Sequence, residues 1–252
     1  MKSLSNNDIK RIKSLQQKKF RDETGLFAVE GEKMVAEALA SAFSVEAVYR
    51  KEEIGEEAMK RISALSSPSP VLAVVRKPED ICIESDTDIK QIFSHQKGLY
   101  IGLDSIRDPG NLGTIIRIAD WFGIDAVFAA KDSVDIFNPK TVQATMGAIF
   151  RVKFHYVDMP STAKALLDAG GKVYGTFLDG VNIYQSRLET GVSSPVMVIT
   201  GNESEGISDS VAKYVSDRLY IPPFPPEDPG SESLNAAVAT AITIAEFRRR
   251  TI

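Results

Sequence analysis

From Gly98 onward the chain alternates apolar strand-like runs with helical stretches, and this alternation restricts the fold more than any other feature of its 252 residues. Residues 99–106, 125–130, 151–157, 172–178, 195–200 and 218–222 read as strands, and 110–123, 139–149, 161–169, 208–215 and 233–249 as helices. Short, wholly apolar runs such as PVMVIT belong to parallel strands buried on both faces. Strands separated by helices in this order predict an α/β fold, an open parallel sheet with helices on both faces. Pro109 at the entrance of helix 110–123 and Gly123 at its end fit the usual signals for starting and stopping a helix.

The first 95 residues hold shorter elements: helices over 6–17, 32–41 and 56–65, and strands over 26–31, 44–49 and 71–75. They predict a small α/β unit of about 80 residues. The polar stretch 77–97, with Pro78 and several acids, sets the domain boundary, giving 1–95 and 96–252. A further strand fits around 81–83. No run approaches the roughly 18 apolar residues of a membrane span, and the N-terminus is too polar for a signal peptide. Cys82 is the only cysteine, which excludes an intramolecular disulfide and a cysteine-rich zinc site. With only His95 and His155, a histidine-rich metal centre or a Ser-His-Asp enzyme is poorly supplied. A soluble cytoplasmic protein is expected.

Thirty Lys and Arg against 34 Asp and Glu give a net charge of −4, which is not the footprint of a protein that binds nucleic acid by bulk charge. The cations are clustered, however. Residues 9–21 contain Lys10, Arg11, Lys13, Lys18, Lys19 and Arg21 and no acid, and the chain nearly ends on Arg248, Arg249 and Arg250. Each run is either a solvated helix face or a phosphate-contacting patch on an acidic body.

In a parallel sheet, ligands bind beyond the carboxyl ends of the strands. Three strand exits here are rich in Gly, Pro and polar residues: RDPGNLG (107–113), GNESEG (201–206) and PFPPEDPGSESLN (223–235). Plain turn chemistry accounts for any one of them; three in one sheet point to a site. There is no GxGxxG, no GxxxxGK[ST] and no GxSxG, so a dinucleotide fold, a P-loop and a nucleophile elbow all lack support.

DPGNLGTIIRIADWFGIDAV, VMVITGNESEGIS and YIP…SESLNAAVATAITIAEF resemble the three ordered motifs of the SpoU family, RNA ribose 2′-O-methyltransferases of the SPOUT superfamily. The match spans roughly residues 98–250. KKFRDETGLFAVEGEKMVAEAL is similar to the substrate-binding domain that precedes many such catalytic domains. The resemblance implies S-adenosylmethionine as methyl donor, a trefoil knot near the C-terminus, and a homodimer with catalytic groups close to the subunit interface.

The implied reaction moves a methyl group from a sulfonium to a ribose 2′-hydroxyl, so catalysis consists of positioning and the handling of one proton. By resemblance Arg117 is catalytic, often described as the base. Because guanidinium groups stay protonated in proteins, a grip on the neighbouring phosphate and on a developing alkoxide is the easier role. Asn111, Glu203, Ser233 and Asn235 match the remaining motif positions. Helix capping by Asn111 or Ser233 and an exposed loop acid at Glu203 are the structural alternatives. Donor contacts are assigned by resemblance to Gly201, Ile221 and Leu234, with Thr200 and Asn202 adjacent. The linker before Ser-Leu-Asn is longer than the family's usual one and adds Glu227, Asp228 and Glu232, which would repel phosphate. Trp121 and Phe122 are expected in the core, His155 as a structural histidine and Cys82 as a passive apolar residue. The preferred substrate is ribosomal RNA of the 23S type, docked through Lys10, Arg11, Lys13, Lys18, Lys19 and Arg21. Transfer RNA and a non-catalytic RNA-binding or ribosome-assembly role are the alternatives.

Overall fold

The computed structural model describes residues 4–93, 97–225 and 232–251. The chain forms two compact units, residues 1–79 with 135–151, and residues 80–134 with 152–252.

The first unit opens with α1 (Asn6–Ser14) and α2 (Lys18–Thr24), followed by β1 (Leu26–Glu30), α3 (Glu32–Ala40), β2 (Val45–Arg50), α4 (Lys51–Ile54), α5 (Glu56–Ile62) and β3 (Val71–Arg76). A Ser5–Asp8 capping box starts α1. The three strands form an antiparallel sheet in the order β1-β3-β2. Ile9, Ile12 and Leu15 pack with Met59, Ile62, Leu72 and Val74 in its core.

The helix expected over 6–17 ends at Ser14, and a second helix that the sequence reading did not include, α2, follows from Lys18. The chain turns after α1, and Arg21 of α2 donates from Nη1 to the Leu15 carbonyl at 2.8 Å, satisfying an acceptor that the end of α1 leaves open. Gly25, at φ +66°, closes α2 in the left-handed conformation.

The second unit begins with a 3-10 turn (Glu79–Ile81) and α6 (Asp86–Phe93). The sequence had suggested a boundary running to residue 95, but Ile89 and Phe93 of α6 are buried in the second core, so this helix belongs to the second unit. Residues 81–83 form no strand; Cys82 makes an isolated bridge to Tyr156, and its side chain is exposed rather than packed. Next come β4 (Gly98–Asp104), α7 (Pro109–Trp121) and β5 (Ala126–Ala130). The chain then contributes α8 (Pro139–Thr145) and a 3-10 turn (Ala148–Phe150) to the first unit. There Phe137 lies 4.7 Å from the Phe27 ring and Phe150 5.2 Å from that of Phe43, aromatic partners that linear periodicity does not reveal.

Back in the second unit are β6 (Phe154–Val157), α9 (Met159–Asp168), β7 (Lys172–Asn182), β8 (Pro195–Gly201), α10 (Asp209–Ala212), β9 (Asp217–Tyr220) and α11 (Ala236–Arg249). The six strands run parallel in the order β6-β5-β4-β8-β7-β9, the predicted architecture. The two central strands, β4 and β8, are buried at every position. His155 is structural as expected, its Nδ1 2.8 Å from the Asp80 carbonyl and its ring stacked on Phe128. Trp121 is not in the core: it is 85% exposed at the end of α7, while Phe122 is half-buried. The C-terminal arginines are anchored rather than free. Arg248 donates to the Phe122 and Gly123 carbonyls, and Arg249 and Arg250 both bind the buried Glu246. Among the described residues no helix is long and apolar enough to cross a membrane, and no acid, histidine and cysteine cluster could hold a metal ion.

Candidate active site

The parallel register of β4 and β8 pairs Asp104 with Gly201, so the first two strand exits leave the sheet at the same level. At the first exit Asp108 caps α7, accepting from the Asn111 backbone at 2.7 Å, and Pro109 takes the first helical position. At the second, reciprocal backbone bonds between Asn202 and Gly206 (3.0 and 2.9 Å) close a tight loop. A Cβ on Gly201 would lie 2.2 Å from the Gly206 carbonyl carbon, so that close approach requires glycine. At the third, Asn235 caps α11, its Oδ1 accepting from the backbone of Ala237 (3.0 Å) and Val238 (3.3 Å).

A hydrogen-bond relay joins the three exits. Asn111 Nδ2 donates to Glu203 Oε1 at 2.5 Å, and Asn235 Nδ2 donates to Asn111 Oδ1 at 2.8 Å. The amide of Asn111 is therefore used at both ends, which plain helix capping would not need. Beneath the relay the hydroxyls of Thr200 and Thr240 meet at 2.9 Å, tying β8 to α11 in the interior.

The other expected residues fall differently. Ser233 is exposed and is not the cap; α11 starts at Ala236, and the amide of Asn235 serves two backbone donors there. Leu234 is 48% exposed and Ile221 half-buried, leaving apolar surface uncovered at the third exit. Asn202 is 9% exposed and builds the loop, its Nδ2 donating to the Ser105 carbonyl and its Oδ1 accepting from the backbone of Ser204 and Glu205. Glu227 and Asp228 lie outside the described residues; Glu232 is exposed.

Arg117 does not join the relay. Six residues beyond Asn111, it stands about 9 Å further along the helix and roughly 120° around it. Its side chain is exposed and pairs with no other described residue. Gly110, Thr114, Arg117 and Trp121 are all exposed, and their spacing places them on one stripe of α7.

In the first unit Lys10 and Lys13 are exposed, Arg11 pairs with Glu46, and Lys18 and Lys19 pair with Asp22 and Glu23 one turn on. Arg21 is not available to a phosphate. It is 2% exposed, with Nη2 2.6 Å and Nε 3.1 Å from Asp135 Oδ2.

Residues 98–245 match the SpoU rRNA Methylase family, well over half of the chain. The chain belongs to the SpoU family. Residues 6–77 match the MRM3-like substrate binding domain, so the resemblance of the N-terminal stretch is borne out with that of the catalytic motifs. The chain is 33% identical to the 23S rRNA (guanosine(2553)-2′-O)-methyltransferase RlmP of Bacillus subtilis, covering 98% of both proteins. It is similar to the structure of an AdoMet-bound rRNA methyltransferase from Sinorhizobium meliloti, with 30% identity, a TM-score of 0.85, and coverage of 100% of this chain and 98% of that one. A TrmH-family structure from Porphyromonas gingivalis is 37% identical with a TM-score of 0.82, covering 98% and 99%. This SpoU-family chain thus carries the family's parallel-sheet domain with its three motif exits joined by hydrogen bonds.

Proposed function

We propose that the protein transfers a methyl group from S-adenosylmethionine to a ribose 2′-hydroxyl of 23S-type ribosomal RNA. The observation that carries this reading is the relay Glu203–Asn111–Asn235, which gathers one residue from each motif into a single constellation. The full-length likeness to an enzyme named for 23S rRNA guanosine 2′-O-methylation supports the substrate class.

The residues fit the donor. Gly201, lacking a Cβ, lets the 202–206 loop fold back against the end of β8, and Ile221 and Leu234 offer apolar surface for an adenine ring. When bound, the donor supplies a methyl made electrophilic by its positive sulfur. On the acceptor side, Glu203 uses Oε1 for Asn111, and Oε2, which bonds no other described residue, accepts from the ribose hydroxyl in this reading. Arg117 grips a phosphate and stabilises the charge that develops on the ribose oxygen as its proton passes to the Glu203 carboxylate.

A homodimer belongs to the same reading. Arg117 lies off the relay of its own chain and shares its stripe with the 85% exposed Trp121, an apolar surface suited to burial against a second copy. That arrangement lets Arg117 serve at the subunit contact. The trefoil knot around the third exit and a cytoplasmic place of work complete the reading. RNA docking falls to Lys10, Arg11, Lys13, Lys18 and Lys19, without Arg21.

The test is transfer of labelled methyl from S-adenosylmethionine into unmodified ribosomal RNA by the intact chain, followed by alkaline hydrolysis. An alkali-resistant labelled dinucleotide is expected, because a 2′-O-methyl group blocks cleavage. Label on a base would refute the reading.

A further inference from the structure

Ser105, just beyond β4, holds a left-handed backbone at φ +61° although it is not glycine. Such a residue costs about 1–2 kcal/mol and persists where its surroundings over-determine it. Two bonds do so here. Ser105 Oγ donates to Asp132 Oδ2 at 2.7 Å, and the Ser105 carbonyl accepts from Asn202 Nδ2 at 2.9 Å. Next to it Asp104, 4% exposed, accepts from the Ser208 backbone at 2.7 Å. The loop 202–208 is thus tied at its start to Ser105 and at its end to Asp104. Between these ties Asn202 Oδ1 holds the backbone N–H groups of Ser204 and Glu205, and Glu203 projects from the loop to Asn111.

We infer that Asp104 and the Ser105–Asp132 pair are positioning residues for methyl transfer, holding the second exit in the one placement where Glu203 meets Asn111. None of the three joins the relay. They act through the loop, by hydrogen-bond acceptance and not by charge. Turn stabilisation alone would need neither a strained serine nor a buried carboxylate at the far end of the loop. The inference rests on the methyltransferase reading and adds residues that the three motifs do not contain.

The test compares the intact wild-type chain with Asp104→Ala, Asp104→Asn and Asp132→Ala, using S-adenosylmethionine and ribosomal RNA. Asp104→Ala is expected to lower kcat about tenfold, with the RNA KM and the donor Kd within about twofold of wild type. Asp104→Asn keeps an oxygen that accepts from Ser208 and is expected to restore kcat to within about threefold. Asp132 is exposed, so Asp132→Ala keeps the fold and remains decisive if Asp104→Ala does not fold; a fall in kcat of about threefold at unchanged Tm is expected. Three results overturn the inference: Asp104→Asn as poor as a folded Asp104→Ala, Asp132→Ala at wild-type kcat, or losses confined to Tm and donor Kd. If the wild-type chain is itself inactive on RNA, the methyltransferase reading fails first and the inference with it.

Discussion

In the first unit Arg21 is 2% exposed, and its guanidinium serves the Leu15 carbonyl and Asp135; in the second, Arg117 is exposed and pairs with no other described residue. Both lie on helices, and both were singled out in the sequence as cations that would meet RNA. The difference is what surrounds them. Arg21 faces an open helix end and an acid contributed by residues 135–151, so folding uses up its donors. Arg117 looks outward from a helix whose opposite face is packed with Leu112, Ile115, Ile116 and Ala119. The fold uses up the first guanidinium and leaves the second exposed, which is why the proposed phosphate contact rests on Arg117 and not on Arg21.

The sharpest way to break that contrast is to remove each arginine in turn. Arg117→Ala should lower methyl transfer by about 1,000-fold while leaving Tm and the calorimetric donor Kd nearly unchanged, as removal of a group acting on developing charge does. Near-normal turnover would put Arg117 back among ordinary surface residues. Arg21→Ala should act on stability instead, costing about 3 kcal/mol in denaturant unfolding because it strands Asp135, 10% exposed, without its partner. A loss under about 1 kcal/mol would mean that the pair is only incidental.

A smaller effect separates Arg21 from its neighbours. Reversing Lys18 and Lys19 to Glu should weaken RNA affinity about tenfold at low salt and flatten its salt dependence, without altering donor binding. Unchanged RNA affinity would remove α2 from the docking surface. The smallest effect concerns Glu246, which marks how the C-terminal arginines are used. Its carboxyl is held down from 4.5 to about 2, chiefly by the hydrogen bond from Arg249, with Arg250 adding a second. A depressed acid contributes stability above its unfolded pKa and loses it as pH falls through the folded value. The stability advantage of wild type over Glu246→Gln should therefore be full above about pH 4.5 and fade toward pH 2. A difference that stays constant over that range would contradict the pairing.

Much of the second unit was legible in sequence because its evidence is local. Buried strands such as PVMVIT, Pro at a helix start, and Gly at strand exits each carry their reason within a few residues. What escaped depends on partners distant in the chain. Helix α6 shows only two fully buried apolar positions, Ile89 and Phe93, too few to stand out as a period. The helix read over 139–149 is α8 followed by a 3-10 turn, and its segment joins the first unit through Phe137, Phe150 and Asp135, whose partners lie near residues 21–43. Trp121 was expected inside because aromatic residues usually are, yet its helical position follows Arg117 by one turn onto the exposed stripe. The motif residues of the site were visible, but not the relay that joins them, since an amide-to-carboxylate contact across 92 residues and an amide-to-amide contact across 124 leave no local pattern.

The central claim is that the three strand exits work as one site, and a double-mutant cycle tests it most directly. Methyl transfer is measured for Asn111→Ala, Asn235→Ala and the double variant, with donor binding followed in parallel. If the relay is a unit, the double variant should lose little more than the poorer single variant. Losses that simply multiply would mean that Asn111 and Asn235 act independently, and the single-site account would be wrong.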